Sequence, residues 1–296
     1  AETKENITPP TLKDVFEEWD PFYSARVGES TMVCYRSAYK HFSELHDRLI
    51  TDITARDLQR CMDNCKSGKR THQNMKVTAG LIWAYALDAE IVNKDITKHL
   101  YIGKGETKQR EPLTDVELEV IRQAIGKDIY AEYVYALCYL GFRPGEFLAL
   151  KKEDLHKDEK LWYLVGGGKT EAGTNRTVPV PEKIKPILAR REAAKGTEYL
   201  FPQYCYDTHQ RFKGFKKMSD AYFRESVFKP LMSKLGIAEG KVPYGARHTY
   251  SDKLKNAGGD DKAKAALMGH TDYNFTKKKY QSTSLEDLQE VVASIV

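Results

Sequence analysis

Between residues 11 and 100 apolar side chains recur at three- and four-residue spacing, and this periodicity limits the fold more than any other feature of the chain. The stretches "TLKDVFEEWDPFYSA", "STMVCYRSAYKHFSELH", "TARDLQRCMDNCK" and "THQNMKVTAGLIWAYALDAEIV" each read as a helix, with Ser30, Thr54 and Thr71 as expected N-caps. Together they predict a small four-helix unit over 11–102, preceded by an extension at 1–10. The pattern then stops at "YIGKGETKQREPLTDVE", whose glycines, proline and mixed charges predict a linker at 103–112. Helical pattern resumes where Thr114 and Glu117 form a capping box ahead of "VELEVIRQAI". After a helix around 130–140 and the segment "GFRPGEFLAL", the runs "KLWYLVGG" and "NRTVPVP" read as strands joined by a turn containing "GKTEAGT". From about 182 onward the pattern is helical, with loops expected near 195–210 and 236–245. The expected fold is mainly α with one small β-sheet: a helical domain, then a mixed α/β domain over 113–284, then a short amphipathic helix at 285–296.

A length of 296 residues suffices for two domains with their own cores. No run approaches the roughly 18 apolar residues of a membrane span, and the N-terminus lacks a secretory pattern, so a cytoplasmic protein is expected. The five cysteines, Cys34, Cys61, Cys65, Cys138 and Cys205, form no CxxC pair and read as reduced structural thiols. Cys61 and Cys65 sit one turn apart, which fits two buried helix positions better than half a metal site. The formal charge of +5 is moderate, but its distribution is uneven. From Lys66 to Arg110 there are nine Lys/Arg against four Asp/Glu, with further basic clusters at Arg211–Lys217 and Lys277–Lys279. Such a recurring basic face fits a polyanionic partner, although solvated lysine helices give the same count.

Chemistry concentrates in the second half. "GFRPGEFLAL" places Arg143 at a glycine-bounded turn with Pro144 set for the first turn of a helix. There the guanidinium either offers two N–H groups to a phosphate or pairs with Glu146. "VPYGARHTYSDKL" supplies Arg247 and His248 at an expected helix start, "ALMGHTD" supplies His270, and Tyr280 follows three lysines. With Lys169 in "GGGKTEAGTNRTVPVP", this ordered set resembles the tyrosine recombinases, the integrases that cut and rejoin DNA through a covalent phosphotyrosine. The resemblance runs from about residue 11 to the end, includes the "LTDVE" start of the second domain, and is strongest to integrases of conjugative transposons and phages.

The residue types suit that chemistry. A phenol oxygen attacking a phosphodiester builds charge on the non-bridging oxygens, which two guanidiniums, Arg143 and Arg247, would stabilise. Tyr280 is then the nucleophile, its deprotonation eased by Lys277–Lys279 and the arginines. His248 is a candidate proton acceptor or phosphate donor, His270 a second phosphate donor, and Lys169 the donor of a proton to the leaving 5′-hydroxyl. Where the family usually has a histidine three residues before the second arginine, this chain has Tyr244, which can donate a hydrogen bond but cannot act as a neutral-pH base. No metal, nucleotide or other cofactor is expected, because the phosphotyrosine conserves the bond energy, and the chain has no P-loop and no carboxylate cluster for two metals.

The resemblance also implies a helical core-binding domain and a catalytic domain closing on duplex DNA as a C-shaped clamp. Its DNA-contacting side chains are expected among Lys66, Lys69, Arg70, Lys76, Lys104, Lys108 and Arg110. Expected partners are double-stranded DNA, further copies of the chain from dimer to tetramer, and accessory DNA-bending proteins. The last helix is expected to pack on a neighbouring subunit in such assemblies and on its own domain otherwise. Relatives commonly carry an extra N-terminal domain, so a chain starting at Ala1 is expected to be a trimmed one. Besides an active recombinase bringing integration and excision of a mobile element, two readings stay open: a type IB topoisomerase-like enzyme, and a DNA-binding protein with an idle nucleophile.

Overall fold

The computed structural model describes residues 8–103, 110–158, 161–168, 175–269 and 285–295. Lys104, Lys108, Lys169, His270 and Tyr280, together with Lys277–Lys279, lie outside them. The chain divides into two compact units, Ala1–Lys108 and Gln109–Val296. Among the described residues no helix is long and apolar enough to cross a membrane.

The first unit is helical: α1 (Leu12–Ser24), α2 (Glu29–Tyr39), α3 (Ala55–Asn64) and α4 (Lys69–Asp88), with short 3₁₀ turns between them. Thr11 and Thr54 start α1 and α3 with reciprocal capping boxes to Asp14 and Asp57. Ser30 and Thr71, expected as caps, lie inside helices instead. Gly28 and Gly68 take the N-cap positions of α2 and α4, which glycine fills nearly as well as a hydroxyl residue. The apolar stripes meet around Trp19, Met32, Phe42, Leu58, Met75 and Trp83, all at most 2% exposed. Burial of side chains of this size contributes about 1.5–3 kcal/mol each, which stabilises helices too short to persist alone. Cys61 is buried in α3 and bonds the Glu44 carboxylate at 3.1 Å. Cys65 is not a buried helix position: it is half-buried at the C-cap, where the chain leaves the helix.

The second unit begins with α5 (Asp115–Ala124), capped by Thr114 and Glu117, and α6 (Ile129–Leu140), buried from Ala131 to its end. α7 (Pro144–Ala149) follows after a sharp turn at Gly141. Strands β1 (Leu155–Lys157), β2 (Trp162–Gly166) and β3 (Arg176–Pro179) form an antiparallel sheet in that order, with Leu155 opposite Leu164 and Leu164 opposite Val178 on the buried face. Helix α8 (Lys185–Ala193) leads to a second sheet, β4 (Gln203–Tyr206) paired antiparallel with β5 (Phe212–Lys216).

This hairpin corrects the expectation of a single sheet and of a loop over 195–210. Its turn has no glycine: Gln210 takes the left-handed conformation, at φ 59°, while Asp207 accepts the backbone N–H groups of His209 and Arg211 at 2.9 Å. A turn held by an aspartate side chain gives little sequence signal. Beyond it come α9 (Asp220–Tyr222), a π-helical turn Phe223–Phe228, α10 (Lys229–Lys234), α11 (Pro243–Asn256), α12 (Asp261–Met268) and α13 (Leu285–Ala293). In this single chain α13 packs on its own unit. Leu288, Val291 and Val292 are buried, with Val291 so close to Gly259 that a Cβ there would come within 2.6 Å of it.

Candidate active site

The turn after α6 brings the two motif arginines together. Gly141 has φ 63° and ends α6 in the left-handed region, and a Cβ there would fall inside the Tyr250 ring of α11. Only glycine meets both demands. α11 therefore packs directly against the α6–α7 turn, bringing Arg247 close to Arg143. Gly245 allows a second close approach, since a Cβ there would lie 2.6 Å from the Glu111 carbonyl oxygen. Residues 110–113 run along α11, tied by the Leu113 N–H to Thr249 Oγ1 at 2.8 Å and by Lys241 Nζ to the Pro112 carbonyl at 2.6 Å. Arg110, exposed, thereby stacks its guanidinium 4.6 Å from the centre of the Tyr244 ring.

Tyr244, Arg247 and His248 occupy positions i, i+3 and i+4 of α11 and so share a face. The Tyr244 and His248 rings are 5.5 Å apart. Arg247 is 2% exposed and donates from Nη1 to the Gly141 carbonyl at 2.6 Å and from Nη2 to the Met268 carbonyl. Burial, and then the charge of Arg143, pull its pKa below the ordinary arginine value. Arg143 is the N-cap residue of α7 and pairs with Glu146: Nη1 to Oε1 at 2.7 Å, and its backbone N–H to Oε2 at 3.0 Å. Of the two alternatives for Arg143, the ion pair is therefore present in the free protein. Burial alone pushes the Glu146 carboxyl up, but the bonds from Arg143 and the charge of Arg176 hold it below the usual carboxylate range.

Arg176 lies within the stretch quoted for Lys169 but was not singled out as a site residue. It opens β3 on the buried face, 6% exposed, with its guanidinium 4.7 Å from the Phe142 ring centre, Nη2 3.5 Å from Glu146 Oε2, and Nη1 donating to the Met268 carbonyl at 3.3 Å. Burial and the neighbouring Arg247 lower its pKa to about 10. A signal existed: in "RTVPV" the arginine keeps phase with Val178 and Val180, both buried.

Arg143 and Arg176 thus share the Glu146 carboxylate, and Arg247, bonded to backbone carbonyls, adds a third guanidinium beside them. A charge buried without a partner costs about 3–5 kcal/mol, so a site with this excess is suited to an anion. Above it lies a cleft of about 880 Å³ lined by Arg110, Arg143, Glu146, Asp220, Arg224 and Tyr244, and by Gly166–Gly168 at the end of β2. Arg224, on the π-helical turn, is a further basic group that sequence reasoning alone does not single out. In the first unit, Lys66 and Arg70 are exposed and Lys69 half-buried, the latter two in the first turn of α4, while Lys76 donates to the Leu100 carbonyl at 2.5 Å. No group of three or more metal-ligating side chains occurs among the described residues.

The sequence pattern of the phage integrase family matches residues 130–286, a span containing Arg143, Lys169, Tyr244, Arg247, His248, His270 and Tyr280. The chain is 24% identical to a XerC-like tyrosine recombinase of Caldanaerobacter subterraneus subsp. tengcongensis, over 91% of this chain and 78% of that one. It spans 42% to 64% of the length of other curated relatives, among them the transposase of transposon Tn916 from Enterococcus faecalis. Its fold is similar to that of lambda integrase residues 75–356, solved as a dimer on a COC' core site, with a TM-score of 0.70, 17% identity, and 93% and 100% of the two chains covered. It is similar also to the Tn1549 transposon integrase in complex with circular intermediate DNA, with a TM-score of 0.69, 18% identity, and 94% and 98% coverage. With the match covering more than half of its length, the chain belongs to the phage integrase family and is a tyrosine recombinase most like those of phages and transposons.

Proposed function

We propose that this chain is a site-specific DNA recombinase that integrates and excises a mobile element. The observation that carries the reading is the closeness of Arg247 to Arg143, which lines the cleft, with more buried guanidiniums than carboxylates around them. In the proposed step the Tyr280 oxygen forms a bond to the scissile phosphorus as its proton passes to His248, a 3′-phosphotyrosine results, and the bond to the 5′ oxygen breaks. Lys169 supplies the proton that the 5′ oxygen takes up. Arg143 and Arg247 bind the non-bridging oxygens, where negative charge grows most in the transition state, with His248, His270 and Tyr244 as further hydrogen-bonding groups. Attack by a free 5′-hydroxyl of another strand reverses the step and rejoins the DNA, and two such exchanges pass through a Holliday junction.

DNA binding falls to both units, which we propose close on the duplex as a C-shaped clamp with residues 103–112 crossing it. Lys66, Lys69, Arg70, Lys104, Lys108 and Arg110 are assigned to phosphates, and Lys76 to the same surface through its helix. Lambda integrase has been solved as a dimer on a core site and as a tetramer on a Holliday junction, and the same dimer-to-tetramer assembly is proposed here, in the cytoplasm. In it α13 is proposed to leave its own unit for a neighbour. The test uses a nicked duplex carrying candidate element ends, which loses a short 5′-hydroxyl fragment on cleavage and so traps the covalent complex. A protein–DNA adduct on a denaturing gel is expected, absent with Tyr280→Phe while binding persists. Binding without adduct on any element end would leave a DNA-binding protein with an idle nucleophile.

A further inference from the structure

Arg176 occupies a position in the site that neither the phosphate chemistry nor packing requires. A strand residue in phase with Val178 and Val180 would pack as well with an aliphatic side chain, and without the cost of burying a charge. Instead the chain places there a guanidinium that reaches a hydrogen-bond partner of each arginine of the pair. Through Nη2 it approaches Glu146 Oε2, the carboxylate that holds Arg143, and through Nη1 it shares the Met268 carbonyl with Arg247. Its contact with Glu146 is incomplete: at 3.5 Å it is an ion pair without a hydrogen bond, and Nε and Nη2 donate to nothing among the described residues. The Tyr250 hydroxyl beside it is likewise buried and without a partner there. Glu146 meanwhile is bonded closely to Arg143, at 2.7 Å and 3.0 Å.

A carboxylate held this way competes with a phosphate for the same guanidinium. On the proposed recombinase reading, Arg143 must turn at least part of its hydrogen bonding from Glu146 to the DNA phosphate. Left alone, Glu146 would then be a buried anion facing that phosphate, and the repulsion would weaken binding of the transition state. We propose that Arg176 is a positioning residue that takes over the Glu146 carboxylate when DNA phosphate engages Arg143. The two N–H groups on its Nε and Nη2 complete their bonding by closing the 3.5 Å gap, and the charge of Glu146 is neutralised throughout. Its bond to Met268, two residues before His270, keeps Arg247 and the end of α12 in place during the exchange.

The test measures single-turnover adduct formation on the nicked duplex, with DNA affinity and thermal unfolding measured on the same full-chain variants. Arg176→Gln is expected to cleave about 30-fold more slowly with affinity within about threefold of the parent, because the loss falls on the transition state. Glu146→Gln added to Arg176→Gln is expected to recover about tenfold of that loss, since no carboxylate then remains to hold Arg143. A residue that only supports the fold would show no such recovery. Arg176→Gln cleaving at the parental rate, or a double variant no faster than the single one, overturns the proposal. Should Arg176→Gln fail to fold, Arg176→Lys decides: it keeps a cation able to take the carboxylate and is expected to cleave within about threefold of the parent, whereas a loss of about tenfold or more at unchanged affinity overturns it. Absence of adduct from the parent protein itself would instead overturn the recombinase reading on which this proposal rests.

Discussion

Arg143 and Arg247 differ in what they already hold in the free protein, and this sets what their substitution does. Arg247 is anchored by two backbone carbonyls, whereas Arg143 is held by one carboxylate. Arg143→Lys keeps the charge but loses the planar fork, so cleavage is expected to fall by about 10²–10³-fold with DNA affinity within about threefold, checked by adduct kinetics and gel shift. Glu146 gives a pH prediction with a definite sign. Its folded pKa is depressed below the 4.5 of a free glutamate, so the stability it contributes is fully present above that value and is lost as pH falls through the folded pKa. Denaturant titrations should therefore show the parent more stable than Glu146→Gln at neutral pH, with the difference shrinking only below about pH 4.5. Motif order makes Arg143 and Arg247 conspicuous in the sequence. Arg176 is not, because a single arginine in a strand ordinarily faces solvent, and its phase with two valines becomes informative only once the buried face of β3 is known.

Elements whose pattern is unambiguous were legible: the helices of the first unit, the capping box of α5, and the strands β2 and β3. Those whose signal lies in side-chain contacts were not, as with the β4–β5 hairpin turned by Asp207, and the helix starts where glycine displaced Ser30 and Thr71 from the cap. α13 joins both classes. Its amphipathic pattern is plain in the sequence, but the surface it covers, α12 and β3, is known only from the fold. Removal of residues 285–296 uncovers part of α12 and β3. The truncated chain is expected to unfold at a temperature several degrees lower, about 2–4 °C for each kcal/mol of stability removed in a unit of this size. If α13 serves in assembly, truncation should also reduce multimer formation on DNA while single-site binding stays near normal. An unchanged melting temperature would mean that α13 contributes nothing in cis.

For the whole molecule, the formal charge of +5 understates the basic character of the surface proposed to meet DNA. Each cation that no longer pairs with a phosphate should reduce the slope of log affinity against log salt by about 0.9. Neutralising Lys66, Lys69 and Arg70 together is thus expected to flatten the slope by about 2–3 and to weaken binding to all sequences alike, measured by titration across salt concentrations. An unchanged slope would remove the start of α4 from the interface.

The central claim is that this architecture delivers one tyrosine, Tyr280, to a phosphate held by Arg143 and Arg247. The most direct measurement is proteolysis of the trapped protein–DNA adduct, followed by mass spectrometry of the peptide that remains linked to DNA. The account predicts a 3′-phosphodiester linkage on Tyr280, the residue directly after the run of three lysines. Linkage through Tyr273 or any other residue, or through a 5′ phosphate, would contradict it.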